Sequence, residues 1–304
     1  MAMVSLAFAP CTIAQNVLDA RTASVLAYWE PGDTRSYRVE RVRQGPKPAR
    51  SVYRITLRVL AATESTYTVE CLYDSLTVDA TPPDDAKGRA VFIKLMRASE
   101  GMRVRFETDE LGIPMRVTNE DDLERHARKV LDEVLEFAEG PSERAGMEKA
   151  LAPVLDVETL AQEALEDIGN LLFPFGVAYI LDKREEVRAE VPNPLGGPPL
   201  RTAQEFTMTR LDSAAATAGM RMRQRVDPQG VEEDMDHLLA ELGGGELDAG
   251  ELAALRATIA SVRVTDTMDI EVDLIGAWTT SLRVVRTTEV RGRTEIDTRT
   301  YVLH

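Results

Sequence analysis

Histidine and cysteine are scarce in this chain, with three of one and two of the other in 304 residues. No two histidines stand three or four residues apart, so the sequence offers no helical metal pair. Cys11 and Cys71 are too few for a disulfide framework. Positive charge is short as well, and the formal net charge is −15. A nucleic-acid-binding protein concentrates Lys and Arg to displace counterions, and an anionic membrane surface makes the same demand, so neither is an expected partner. No run approaches the roughly twenty apolar residues of a membrane span, so no transmembrane segment is expected. Gly243-Gly244-Gly245 follows no strand and forms no phosphate cradle. Asp212-Ser213 lacks the flanking glycines of a nucleophile elbow.

What the chain has in quantity is alternation. Tyr53, Ile55, Leu57 and Val59 point one way while Arg54, Thr56 and Arg58 point the other, the period of a strand with one buried and one wet face. The stretches 51–61 and 64–79 read as a strand pair. Met102, Val104 and Phe106 alternate with Arg103 and Arg105 before a turn at Asp109-Glu110-Leu111-Gly112 into 113–117, a second hairpin. Residues 25–29 run through Pro31-Gly32-Asp33 into 36–42 and read as an opening hairpin, with Gly32 at the turn position that needs positive φ. Later, 186–191, then 204–211 with 214–226, alternate again, and Met220, Met222 and Val226 share one side. Three long strands follow over 262–274, 279–290 and 294–303, with turns near Gly276-Ala277-Trp278 and at Gly292. Several of these exceed the usual five or six residues, which suggests a large curved sheet.

The middle of the chain changes period. Residues 85–98 suit a short helix with Val91, Ile93, Leu95 and Met96 toward its buried side, although 90–96 also fits a strand. Asn119 is the N-cap of a helix whose apolar residues are Leu123, Ala127, Val130, Leu131, Val134, Phe137 and Ala138, ending at Gly140-Pro141. A second helical region, 142–170, breaks near Pro153 and carries the stripe Leu160, Ala164, Leu165, Ile168, Leu171 and Leu172. A further short helix is expected over 234–242, between the Pro/Gly loop 192–199 and the last strands. Strands, then helices, then strands imply an α+β fold: a large curved antiparallel β-sheet, half-barrel-like, with mid-chain helices packed on its concave face. The expected division is 1–14 as a signal-peptide remnant and 15–304 as a single α+β domain with a helical insertion over about 119–175. Residues 1–14 are small and apolar, and Thr12-x-Ala14 suits a signal-peptidase site before Gln15, although a basic leader is missing. The expected location is therefore periplasmic or secreted, and cytoplasmic if the segment is retained. Cleavage would leave Cys71 as the only cysteine.

Candidate chemistry is thin. His126 reads as a surface histidine, and Glu232, Glu233, Asp234 and Asp236 before His237 read as an acidic helix N-terminus rather than a calcium loop. Cys71 shares its side of a strand with Tyr67, Val69 and Tyr73 and reads as a core residue. Glu271 and Asp273 belong to a wet face. Trp29 and Trp278 stand near strand ends, where they mark the rim of a cavity or close the core. No catalytic residue, cofactor or metal site is expected.

The run Leu26-Ala27-Tyr28-Trp29-Glu30-Pro31-Gly32-Asp33 with Tyr37-Arg38-Val39-Glu40, and Phe106-Glu107-Thr108-Asp109 with Leu111-Gly112-Ile113-Pro114-Met115, resemble segments of uncharacterised secreted bacterial proteins. In layout, the chain also resembles the LolA/LppX-type half-barrel of lipoprotein carriers. These resemblances transfer no functional residue. The expected function is a non-enzymatic exported protein that binds an apolar ligand or an envelope partner, with Tyr53, Leu57, Tyr67, Val69, Phe106 and Met222 as cavity-lining candidates. A carboxylate-dependent hydrolase and a structural or interaction protein without a small-molecule site are the alternatives.

Overall fold

The computed structural model describes residues 16–46, 48–82, 85–152, 155–191, 200–226, 250, 257 and 261–304. The strands are β1 (Thr22–Val25), β2 (Thr34–Gln44), β3 (Ala49–Ala62), β4 (Thr66–Ala80), β5 (Arg103–Asp109), β6 (Pro114–Val117), β7 (Val177–Ile180), β8 (Arg184–Val191), β9 (Leu200–Asp212), β10 (Thr217–Val226), β11 (Arg263–Asp273), β12 (Trp278–Val290) and β13 (Arg293–Leu303). The helices are α1 (Ala86–Met96), α2 (Glu120–Leu135), α3 (Pro141–Leu151) and α4 (Val157–Leu172). Eleven strands form one open antiparallel sheet in the order β6-β5-β4-β3-β2-β13-β12-β11-β10-β9-β8, and β1 pairs with β7 in a separate two-stranded sheet. The expected fold class is the observed one.

Parity decides which face is buried. Ile55, Leu57 and Val59 are fully buried while Arg54 and Arg58 are exposed. Leu57 stands in register with Cys71, which pairs with Val104; Val59 pairs with Val69, which pairs with Phe106. These rows are the apolar face of one arm of the sheet. Met208, Met220, Met222, Met268 and Ile270 supply the corresponding face of the other arm. The two faces belong to a single buried cluster, which requires the sheet to bend. The ring of Trp29 lies 5.2 Å from that of Tyr67 on β4 and 4.6 Å from that of Trp278 on β12. On a flat sheet those strands would stand roughly 19 Å apart, four strand spacings. Register shifts within the β3–β4, β9–β10 and β11–β12 pairs add local twist.

The helices cover the concave face through α4. Leu160, Ala164, Ile168, Leu171 and Leu172 are buried there, and the Thr279 hydroxyl of β12 donates to the Leu171 carbonyl at 2.6 Å. Leu123, Ala127, Val130, Val134 and Leu135 are the buried face of α2, while Leu131 and Leu165 are only half-buried. Asn119 occupies the N-cap position but does not cap with its side chain. Its amide instead accepts from the Arg105 backbone N–H at 2.7 Å and donates to the Arg103 carbonyl at 2.9 Å, tying α2 to β5.

Two expectations are corrected. Residues 25–29 do not form a hairpin with β2, because β1 pairs with β7 and the Ala27 N–H donates to the Leu111 carbonyl instead. The turn itself is present, with Gly32 at φ 100° and a bond from the Asp33 N–H to the Glu30 carbonyl. The helix expected over 85–98 is present as α1, yet it has no buried residue, and Ile93 and Met96 are exposed. Its apolar residues do not form a stripe narrow enough to dock as one face. The expected leader with Cys11, the loop 192–199, the helix 234–242 with its acidic residues and His237, and Gly243-Gly244-Gly245 lie outside the described residues.

Candidate functional site

The six cavity candidates sit in or against the concave apolar cluster. Leu57, Val69, Phe106 and Met222 are buried, and Tyr53 and Tyr67 are partly buried and packed on the same cluster. Val69 and Phe106 are direct cross-strand partners, and Leu57 lies one row away. Met222 belongs to the opposite arm, in register with Phe206 and Met268. Tyr67 caps this region by donating its hydroxyl to the Ala27 carbonyl at 3.1 Å. Trp29 and Trp278 close the core at that end, stacked on each other, with Tyr67 and Phe175 tilted against the Trp29 ring.

At the other end of the concave face the lining turns polar, and here the structure assembles residues that sequence reasoning missed. Asp167, on the buried side of α4, is 5% exposed. Its Oδ1 accepts from the Tyr301 hydroxyl at 2.5 Å and from Arg299 Nη1 at 3.3 Å. Its Oδ2 accepts from the Tyr53 hydroxyl at 3.0 Å and lies 3.4 Å from that of Tyr73, which shares its proton with the Ala164 carbonyl. Arg299 also donates to Glu166 at 2.9 Å. From Glu166 the network runs to Arg286, which grips Asp266 with two bonds of 2.8 and 3.0 Å, then to Gln224 and Gln204. The belt thus spans β9, β10, β11, β12 and β13 and reaches β3 and β4 through Asp167. Arg41 and Asp297 form a further two-pronged pair beside it.

Burial pushes the Asp167 carboxyl above the usual carboxylate range, against the pull of Arg299 and of the Tyr301 hydroxyl. Burial likewise raises Tyr53, Tyr73 and Tyr301, and raises the Cys71 thiol, which is therefore neutral. A carboxylate has about four lone-pair positions, and those of Asp167 all face donors of this chain. These contacts engage both oxygens of Asp167 and tie α4 to β3, β4 and β13.

The remaining candidates are accounted for. His126 is half-buried and places Nε2 2.6 Å from the Ala98 carbonyl. Glu271 pairs with Arg210, and Asp273 accepts from the backbone N–H groups of Ile275 and Gly276. No group of metal ligands occurs among the described residues, and no helix among them is long and apolar enough to cross a membrane.

No family model matches this chain, and no curated protein matches it. Among solved structures it is similar to one titled for lipid–protein interactions in lipovitellin, with a TM-score of 0.40 and 9% identity over 90% of this chain and 25% of that one. It is also similar to a porin-like protein from Bacteroides uniformis, with a TM-score of 0.19 and 9% identity over 91% of this chain and 99% of that one. The chain therefore spans only 25% of the lipovitellin chain. Both scores are below one half, and the fold described above rests on the chain's own pairing and burial.

Proposed function

We propose that the protein is a non-enzymatic binding protein that takes an apolar ligand between its concave face and the helical layer. Support comes chiefly from the β9–β11 arm, where Met208, Met220, Met222 and Met268 are gathered on the inner face. Methionine is unbranched and repacks readily, so a face rich in it adapts to a guest where a β-branched face does not. Phe173 and Phe206, stacked at 5.2 Å, border it. In this reading Leu57, Val69 and Phe106 line one side of the ligand space, Met222 the other, and Tyr53 and Tyr67 its two ends. Residues 15–304 act as one unit, exported with cleavage before Gln15, in the manner of the LolA/LppX-type layout. Of the carboxylates considered for the hydrolase alternative, Glu271 and Asp273 are both engaged, as is Asp167.

Native mass spectrometry of protein from its own host reads both parts at once. The expected result is a chain beginning at Gln15 with a co-purifying lipid-like mass. A Val69→Trp variant should lose uptake of an apolar fluorescent dye with little loss of stability. If the wild type binds no dye, and Val69→Trp instead destabilises by about 1 to 3 kcal/mol as overpacking does, the protein is an interaction module without a ligand space.

A further inference from the structure

The convex face of the β9–β13 arm carries a groove of about 280 Å³. Side chains ordinarily fill the outer face of a sheet, and here two features leave room. The register shifts at Gly219/Met220 in the β9–β10 pair and at Glu271/Val272 in the β11–β12 pair, and such bulges bend a strand locally. Gly219 also leaves one outward position empty, between Arg210 of β9 and Glu271 of β11. Glycine weakens a strand interior and marks a close approach. The approach here is that of Glu271, whose Oε1 would lie 2.9 Å from a Cβ at Gly219 and whose Oε2 pairs with Arg210. Glu271 therefore leans across β10, away from β12.

Its neighbour on β11 does the same. Arg221, Asp269, Arg283 and Thr300 form one cross-strand row over β10, β11, β12 and β13. Asp269 stands between two arginines and goes to Arg221, at 2.7 Å. Opposite charges that face each other across strands ordinarily pair. Arg283 is instead exposed in the groove, without a hydrogen bond or ion pair among the described residues. Ser281 and Thr300 are half-buried beside it, and their hydroxyls likewise bond to nothing among the described residues. Three donors thus share one recess while both nearby acids are turned the other way.

We propose that this groove binds a small monocarboxylate, gripped by the Arg283 guanidinium and by the hydroxyls of Ser281 and Thr300. The planar fork of a guanidinium matches the two oxygens of a carboxylate, and the hydroxyls supply further donors. Charge sets the valence. Arg210, Arg221 and Arg283 stand against Asp269 and Glu271, which leaves one positive charge for the guest. A second negative charge would meet only the two acids. Volume sets the size, because the groove falls just short of the roughly 300 to 1,000 Å³ of pockets for drug-sized ligands. The site lies on the opposite face of the sheet from the apolar ligand space and does not depend on it.

The arginine Nε–H signals of the full chain, made with isotope-labelled arginine, test this at about 0.1 M ionic strength, where long-range attraction is screened. Arg283→Gln and Arg58→Gln identify the two signals to follow, Arg58 being exposed on the other arm of the same face. Acetate should shift the Arg283 signal to saturation in the millimolar range, while the Arg58 signal drifts without saturating. A Ser281→Ala, Thr300→Val double variant should weaken the binding on the order of tenfold. Citrate at the same ionic strength should bind no tighter than acetate. If Arg58 responds as Arg283 does, if citrate binds in proportion to its charge, or if the double variant binds acetate as the wild type does, the groove holds an adventitious ion only and the inference is overturned.

Discussion

Leu57 and Arg58 are adjacent in sequence and opposite in consequence. Leu57 is fully buried between Cys71 and the concave cluster, whereas Arg58 is exposed on the outer face. Leu57→Ala should cost roughly 2 to 5 kcal/mol by leaving a cavity, and Arg58→Ala should stay within about 0.5 kcal/mol, measured by urea unfolding. Equal losses would put the β3 register in error. The same parity rule makes the polar belt surprising. Arg299 shares its side of β13 with Tyr301, and Asp266 shares its side of β11 with Met268 and Ile270. The signal was present in the sequence as charged residues at apolar parity, together with Asp167 at a stripe position of α4. Within a single strand, nothing tells which strand faces such a charge or what partner it meets there.

Elements were legible where their own period decided them and illegible where a partner did. The β3–β4 pair, the β5–β6 hairpin, α2 and the last three strands follow the alternation or the helical stripe. The segment from the end of β1 onward also alternates, with Val25, Ala27 and Trp29 buried, yet a two-residue period reports an extended chain and not its neighbour. α1 failed for a different reason: its residues favour a helix, but burial is a property of what lies beneath them. Polar contacts hold it: the Asp85 side chain accepts from the Gly88 N–H at 2.6 Å, and Lys87 and Lys94 pair with Glu143 and Glu133 of the neighbouring helices. Asp85→Ala should cost about 1 kcal/mol, and Ile93→Gln, at an exposed site, should stay within about 0.5 kcal/mol. Thermal melts that reverse this order would show α1 docked by its apolar residues.

At the scale of the molecule, the bend of the sheet was readable from strand length, and the six cavity candidates fall on the concave side because inward parity places them there. Their chemistry as a site was not readable, since each is an ordinary core residue until something is shown to fit beside it. The strand order has its own consequence. β13 lies between β2 and β12, and the Arg41–Asp297 pair joins residues 256 positions apart. During synthesis at roughly 5 to 20 residues per second, β2 waits on the order of 10 to 50 s for that neighbour. Through that interval the edge of β2 is open to any other strand in the cell. Arg35, Arg38, Arg41 and Arg43 lie along it, and charged edges resist pairing with a stranger. Replacing Arg38 and Arg43, both on the outside of their ion pairs, with valine should leave equilibrium stability within about 1 kcal/mol while sending more of the newly made protein into aggregates. An unchanged soluble yield would release these arginines from that duty. Otherwise they serve the unfinished chain, guarding a seam that its last strand has yet to close.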